Sequence, residues 1–151
     1  VHIGVDAQTG LTHTLTLTAS NVADVTEASK LLCGEEKALI GDAGYQGIEK
    51  RPEMQGRHVK TYMTAMRPGR LKKLTAQGGE LAEQLCAIER ELASRRAKVE
   101  HVFRDLKVRF GYAKVRYRGL AKNLSRFVCL AALSNVLRGE SYLRRKGLVA
   151  S

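Results

Sequence analysis

Apolar and polar positions alternate with a period of two at the start of the chain. Val1, Ile3 and Val5 are separated by polar or small residues, and residues 11–18 alternate again and are rich in threonine. This alternation predicts two half-buried strands. The segment between them has Asp and Gly at positions that turns favour. The chain therefore opens with a predicted β-hairpin, and we expect Asp6 to belong to its turn.

The middle of the chain alternates between helical and strand-like patterns. A helix is predicted to begin at Asn21 or Asp24 and to end near Leu32, with Asp24 and Glu27 spaced as a capping box. A short apolar run at residues 37–42 then predicts a buried strand, and residues 43–47 are the loop that leaves it. A short helix is predicted at residues 48–54 and a second strand at residues 58–64, and residues 67–70 break the pattern.

Helical spacing dominates the second half of the chain. Apolar residues at steps of three and four predict a long helix over residues 80–110, closed by Gly111. They are Leu81, Leu85, Ile88, Leu92, Val99, Val102 or Phe103, Leu106 and Phe110. A last helix is predicted over residues 120–137. The element order β-β-α-β-α-β-α-α indicates a mixed α/β domain.

Length and composition predict a single domain with reduced cysteines and no membrane-spanning segment. A chain of 151 residues is long enough for a single compact core. No apolar run is long enough to cross a membrane, so we expect no membrane partner and a cytoplasmic protein. The three cysteines are far apart and form no Cys-x-x-Cys pair, so we expect reduced and mostly buried thiols.

Positive charge is concentrated in the last third of the chain. Of the 26 Lys and Arg residues, 15 lie within residues 95–146, together with only 3 of the 15 acidic residues, and the net charge is +11. Such an uneven surface favours a polyanionic partner, most simply nucleic acid. Residues 109–118 interleave aromatic residues with cations, which predicts DNA contact by Lys114, Arg116 and Arg118. A solvated linker between two helices is the alternative.

Two carboxylates are candidates for catalysis. Asp42 follows the predicted buried strand and opens a glycine-containing loop, where open α/β sheets bind ligands; a helix N-cap or turn role is the alternative. Arg96, Glu100 and Lys107 are offset by four and seven positions, so on one helix they share a face beside the apolar stripe. Glu100 is therefore expected to be half-buried between two cations, or to form a surface Arg–Glu pair. Tyr45, in the loop after Asp42, is expected to pack in the core.

Two motifs resemble those of bacterial insertion-sequence DDE transposases, of the insertion-sequence-five and insertion-sequence-four group. The first is Gly-Asp-Ala-Gly-Tyr-Gln-Gly at 41–47, and the second is Arg96-x3-Glu100-x6-Lys107. The opening strand and turn, residues 1–10, also resemble the segment before these motifs. The likeness covers nearly the whole chain and gives a predicted transposase domain at residues 1–139 with a basic C-terminal tail at residues 140–151.

The resemblance implies a ribonuclease-H-like fold and metal-assisted cleavage and transfer of DNA strands at the ends of a transposable element. It implies that Asp42 and Glu100 are the second and third acids of the catalytic triad. They would bind two Mg²⁺ ions, or Mn²⁺, because the motif supplies hard oxygen ligands. Arg96 and Lys107 would contact the DNA backbone or hold Glu100 in place. The implied partner is insertion-sequence DNA, and the implied location is the bacterial nucleoid.

The chain departs from the family pattern in two places. Ala93 occupies the position of a tyrosine that the family carries three residues before Arg96. The family's first Asp lies on a strand upstream of the hairpin, and this chain starts too late to contain it. Asp6 lies at the wrong end of its strand to replace it. A missing strand would leave two unpaired sheet edges, so we expect a homo-oligomer or completion by an upstream transposase fragment.

The same sequence also allows functions of other classes. The first is a non-catalytic DNA-binding remnant or an inhibitor of the full-length enzyme, because phosphate contacts require Lys and Arg but not catalysis. The second is a basic RNA-binding or ribosome-associated protein. This last hypothesis predicts no convergence of Asp42 and Glu100.

Overall fold

The computed structural model describes residues 1–148, which contain four strands and four α-helices. The strands are β1 His2–Val5, β2 Thr12–Thr16, β3 Ala38–Gly41 and β4 Thr61–Thr64. The α-helices are α1 Asp24–Glu27, α2 Pro68–Gln77, α3 Glu80–Arg104 and α4 Leu120–Arg145. Four 3₁₀ turns are found at Ala28–Leu31, Ala43–Tyr45, Ile48–Lys50 and Pro52–Met54, and a π-turn follows α3 at Asp105–Arg109. The predicted mixed α/β class is confirmed.

The chain divides into two units, each with its own pair of strands. The hairpin unit consists of Val1–Val22 and the part of the chain from Lys98 onward, and the central unit is Ala23–Ala97. β1 and β2 pair antiparallel in the hairpin unit, and β3 and β4 pair parallel in the central unit. Over residues 1–148 the strands therefore form two separate two-stranded sheets, where the sequence predicted one mixed sheet.

The Asp6 side chain organises the turn of the hairpin. Its Oδ1 accepts hydrogen bonds from the Thr9 backbone N–H at 2.6 Å, the Thr9 hydroxyl at 2.7 Å and the Gln8 backbone N–H at 3.0 Å. Partial burial would raise the pKa of Asp6, but these bonds and the charge of Lys98 outweigh it and lower the pKa below its ordinary value. Asp6 is therefore a turn residue, as predicted.

Side chains from α4 and the end of α3 hold the hairpin in place. The Asn135 amide accepts from the Thr12 backbone N–H at 2.8 Å and donates to the Thr12 carbonyl at 2.7 Å, so it pairs with β2 as another strand would. The Lys98 ammonium donates to the carbonyls of Ala7 and Gln8. The buried core of this unit is Val102, Leu106, Tyr112 and Leu130, and Ile3 and Val5 pack against it.

A partly buried ion pair joins α4 to the π-turn. Arg138 Nη2 donates to Asp105 Oδ2 at 2.6 Å, and the Ser134 hydroxyl donates to the same oxygen at 2.9 Å. The side chains of Arg138 and Asp105 are only 22% and 13% exposed. Because Asp105 is the first residue of the π-turn, this contact ties the end of the long helix to the centre of α4.

The central unit is built around a second core. Ala28, Ile48 and Met54 are buried there. The helix predicted over residues 48–54 is wrong: the chain forms two 3₁₀ turns, because Pro52 disfavours helical geometry at Arg51, whose ψ is 137°. Pro68 has the same local effect, since Arg67 before it is also extended, with a ψ of 138°. It stands at the first position of α2, where its fixed φ suits a helix, although the sequence pattern predicted only a break there.

Several predicted burial and capping features differ from the structure. Strand β3, which was predicted to be buried, is half-buried, and its residue Ala38 is exposed. Ala23 occupies the N-cap of α1 without a side-chain cap, so the predicted capping box is not formed. On α3, Leu81 and Ile88 are 69% and 55% exposed. Leu92 of the predicted stripe is buried as expected, and Ala82, which lies outside that stripe, is buried as well. Within residues 1–148 the three cysteines form no disulfide; Cys33 and Cys129 are exposed, and Cys86 is half-buried.

The last helix is longer than predicted. α4 continues to Arg145, past residue 137 and into the predicted basic tail at residues 140–151. Residues 149–151 of that tail lie outside the described residues. Within residues 1–148, no helix combines the length and the apolar character that crossing a membrane requires.

We expect the Arg138→Ala variant to lower the free energy of unfolding by about 2–3 kcal/mol, because it leaves the Asp105 carboxylate half-buried without its partner. The matched control is Arg144→Ala on the same helix. Its ion pair with Glu140 has side chains about half exposed, so its loss costs less than about 0.5 kcal/mol. Urea unfolding followed by circular dichroism measures both, and equal losses would contradict the anchoring role of Arg138.

Candidate functional site

The loop after β3 fixes the Asp42 side chain. Asp42 directly follows the strand, and its Oδ1 accepts a hydrogen bond from the Gly44 backbone N–H at 2.8 Å. Asp42 thereby caps the 3₁₀ turn Ala43–Tyr45 and remains exposed to solvent. The turn-cap role considered from the sequence is therefore observed. This hydrogen bond uses one of the two carboxylate oxygens, Oδ1.

The Tyr45 ring packs directly on the backbone of Gly41. A Cβ at residue 41 would lie 2.8 Å from the Cβ of Tyr45 and 3.1 Å from its Cγ, so a larger side chain would displace the ring. Tyr45 also packs against the buried core of the central unit. The predicted core role of Tyr45 is confirmed, and its contact with Gly41 determines the path of the loop that carries Asp42.

A second carboxylate, Asp24, lies beside Asp42. A Cβ at Gly44 would be 3.0 Å from Asp42 Oδ1 and 3.5 Å from Asp24 Oδ2, so the two side chains flank the same backbone position. Burial first, and then the charges of Asp24 and Asp42, raise the pKa of Tyr45 to about 12. The loop therefore brings two negative charges within electrostatic reach of one phenol.

A pocket of about 590 Å³ opens next to Asp42 in the central unit. Its polar lining comes from Asp42 and, on α3, from Glu89, Arg90 and Arg96. Glu89 Oε1 also accepts a hydrogen bond from the Met66 backbone N–H at 3.0 Å, which ties α3 to the segment after β4. The pocket thus combines Asp42 from a strand end with one acid and two cations from a helix.

Arg96 and Ala93 define one wall of this pocket. Arg96 Nε is buried and has no hydrogen-bond partner within residues 1–148. A buried donor without a partner carries a desolvation cost that an incoming acceptor can recover. Ala93 lies about one helical turn earlier. Because alanine replaces the tyrosine of the resembling family, the wall lacks a ring at this place.

Glu100 and Lys107 belong to the hairpin unit, and both are exposed. Within the described chain Glu100 forms neither the expected ion pair with Arg96 nor any other, so the prediction of a half-buried acid held between cations is wrong. The predicted face shared by Arg96, Glu100 and Lys107 assumes one continuous α-helix. Lys107 lies in the π-turn, where the rotation per residue differs, so that spacing does not apply to it.

The predicted DNA-contacting residues Lys114, Arg116 and Arg118 are all exposed. They precede α4 in a loop whose Tyr112 is buried, so the aromatic residues of this segment divide between core and surface. The arrangement is compatible with either hypothesis for this segment, a phosphate-binding surface or a solvated linker.

Sequence reasoning missed Asp24, Arg90 and the pocket itself. Asp24 was interpreted only as a helix start, and no local pattern connects it with a loop about 20 residues later. Arg90 lies on the part of α3 where Leu81 and Ile88, predicted to be buried, are exposed. Both errors concern tertiary packing, which residue spacing does not determine.

A family model described as the transposase DDE domain matches residues 1–136. The chain belongs to the transposase DDE-domain family. No solved structure matches the chain. The match covers both strand pairs and all motif residues from Asp42 to Lys107, in agreement with the resemblance seen in the sequence.

The side chains of this transposase DDE domain near Asp42 suit a hard divalent cation. Asp42 and Asp24 offer carboxylate oxygens at one backbone position, and Asp42 is accessible to solvent. Mg²⁺ and Mn²⁺ prefer such oxygen ligands. The donor set therefore fits the metal that a DDE transposase implies.

We expect the variants Asp24→Asn and Asp42→Asn each to lower the pKa of Tyr45 from about 12, because each removes a nearby negative charge. The value stays above 10.0, since burial is the largest cause. In the wild type, the raised pKa of Tyr45 contributes ~2 kcal/mol to the free energy of unfolding. This contribution is fully present below pH 10 and is lost as the pH rises toward 12.

Spectrophotometric titration of tyrosinate measures this pKa, and Tyr45→Phe identifies the Tyr45 step among the five tyrosines. Glu49→Gln is the control, because Glu49 is exposed and does not contribute to the shift. A Tyr45 pKa that is the same in wild type and both Asn variants would show that the carboxylates lie elsewhere.

Proposed function

We propose that this chain is the catalytic portion of an insertion-sequence transposase with a ribonuclease-H-like architecture. It binds the DNA ends of the element and catalyses metal-dependent strand cleavage and transfer. The observation that supports this most directly is the position of Asp42. In a chain of the transposase DDE-domain family, this motif acid stands at a strand end, beside a second carboxylate and a pocket lined by two arginines.

In this proposal Asp42 and Glu100 are the catalytic, metal-binding acids. The cap that Gly44 donates to Asp42 Oδ1 orients the carboxylate before any cation arrives. Bound Mg²⁺ or Mn²⁺ would activate the attacking oxygen and stabilise the leaving oxygen in phosphoryl transfer. The assignment of Glu100 rests on its place in the Arg96-x3-Glu100-x6-Lys107 motif.

The cations of the pocket and the last third contact the DNA backbone. Arg96 supplies a buried Nε donor for a phosphate oxygen, and Arg90 lines the same pocket. Lys107, Lys114, Arg116 and Arg118 provide exposed charge along the chain that follows. The partners are insertion-sequence ends and a second copy of the chain or an upstream transposase fragment, at the nucleoid.

We expect Asp42→Asn and Glu100→Gln each to reduce Mg²⁺-dependent nicking of a plasmid that carries the element ends by at least about 100-fold. The assay uses the chain with and without the upstream polypeptide of the element. Glu49→Gln, an exposed acid of the central unit, is the control and should retain activity. Full activity of either acid variant would contradict the assignment of that acid.

A DNA-binding protein without catalysis is the second candidate, because the exposed cations at residues 114–118 support binding independently of chemistry. Binding of element ends without nicking under every metal condition of this assay would favour it over the transposase.

We expect simultaneous change of Lys114, Arg116 and Arg118 to Gln to weaken binding to duplex DNA and to flatten its dependence on salt. Each phosphate contact contributes about one unit to the slope of log K against log salt, so the slope falls by up to roughly three. Fluorescence anisotropy over a salt series measures this. Changing the exposed Lys72 and Lys73 of α2 to Gln is the control, and unchanged binding in the triple variant would place the DNA surface elsewhere.

A further inference from the structure

A second groove lies at the start of α4, away from the motif residues of the proposed reaction. The Tyr117 groove, with a volume of about 410 Å³, is lined by Tyr117, Lys122, Ser125, Arg126 and Cys129. All five belong to the hairpin unit. The Tyr117 side chain is an aromatic surface in this groove, because the residue is 44% exposed.

Arg126 is held between two tyrosine rings. Its guanidinium carbon lies 5.5 Å from the centre of the Tyr112 ring and 5.9 Å from that of Tyr117, and its Nη1 donates to the Tyr117 hydroxyl at 3.4 Å. Its Nε is buried and makes no hydrogen bond within residues 1–148. Tyr112 is buried and packs edge-to-face on Phe127 at 4.8 Å. The guanidinium is therefore positioned by ring contacts and retains hydrogen-bond donors for a ligand.

Buried Asn123 fixes the backbone that carries Tyr117. Its amide nitrogen donates to the carbonyls of Tyr117 and Gly119, each at 2.7 Å, and its oxygen accepts from the Tyr112 hydroxyl at 2.9 Å. The exposed ring therefore stands on a loop that is anchored before any ligand binds. Such preorganisation lowers the entropic cost of binding.

The charged residues that line the groove, Lys122 and Arg126, are both cations. Residues 106–139 contain eight Lys or Arg residues and no acid. Within the described residues, Lys122 and Arg126 form no ion pair, and Lys122 is exposed. An exposed aromatic ring beside unpaired cations is the arrangement with which proteins bind single-stranded nucleic acid: bases stack on the ring and phosphates approach the cations.

We propose that the Tyr117 groove binds an unpaired nucleotide of single-stranded DNA. The base stacks on the exposed face of Tyr117 beside the Arg126 guanidinium, and the adjoining phosphate contacts Lys122. Duplex DNA keeps its bases stacked on each other, so it gains the phosphate contact but not the stacking contact. This inference rests on the proposed function, since that function makes DNA the substrate and strand cleavage the source of unpaired ends.

Anisotropy of a labelled oligothymidylate and of a duplex of matched length tests the proposal with the full chain. We expect Tyr117→Ala to weaken binding of the single strand roughly 5- to 100-fold, the effect of losing one stacked base. Duplex binding stays within about twofold of wild type. Tyr117→Phe keeps the stacking surface and binds the single strand nearly as wild type does. Tyr142→Ala is the control, because Tyr142 also lies near a cation on α4, 6.0 Å from Lys146 Nζ, but outside the groove.

A second readout separates stacking from a structural effect. The chain has no tryptophan, so its tyrosine emission is visible, and a base stacked on Tyr117 quenches it. In Tyr117→Phe we expect the oligothymidylate to bind with less quenching than in wild type. Wild-type affinity of Tyr117→Ala for the single strand, or an equal loss for single strand and duplex, would overturn the proposal. Either of these results leaves the proposed transposase function standing if the wild-type chain binds duplex DNA and nicks it, whereas absence of all DNA binding by the wild-type chain contradicts both proposals.

Discussion

The position of the Asp42 carboxylate depends on the close packing of Tyr45 against Gly41. Because residue 41 has no side chain, the ring lies on the end of β3, and the chain turns within three residues. That turn presents the Gly44 N–H to Asp42, and the Asp24 carboxylate lies near the same residue. A larger residue at 41 would move the ring and with it the loop that carries Asp42. One steric constraint therefore sets the position of Asp42 in the carboxylate pair.

The chain keeps two kinds of positive charge. Some arginines are committed to the fold, as Arg138 is in its partly buried pair with Asp105. Others, such as Arg96 and Arg126, have a buried Nε without a partner and lie at the wall of a pocket or groove. Unpaired buried donors of this kind reduce stability, and in the proposed function phosphate oxygens satisfy them.

Local patterns predicted the elements whose structure is decided locally. The hairpin, the Asp6 turn and the long helix followed from alternation, turn chemistry and helical spacing. The failures have specific physical causes. Pro52 and Pro68 act alike locally, since each follows an extended residue and begins a helical turn. Only the turn at Pro68 continues as an α-helix, to Gln77, and the proline itself does not encode that difference. The proximity of Asp24 to Asp42 requires α1 to pack beside the β3 loop, a contact that no spacing rule contains.

The motif acids could be identified from the sequence, but the exposure and the hydrogen bonding of each side chain could not. Asp42 is already oriented by a backbone hydrogen bond, so binding a cation there costs little further ordering. Glu100 is exposed on α3 and makes no ion pair within the described chain, so it retains its rotamer freedom. Ordering such a side chain costs up to roughly 2 kcal/mol. In the proposed mechanism the Asp42 side is therefore prepared in the free protein, and Glu100 becomes a ligand only when cation and DNA supply the interactions that offset this cost.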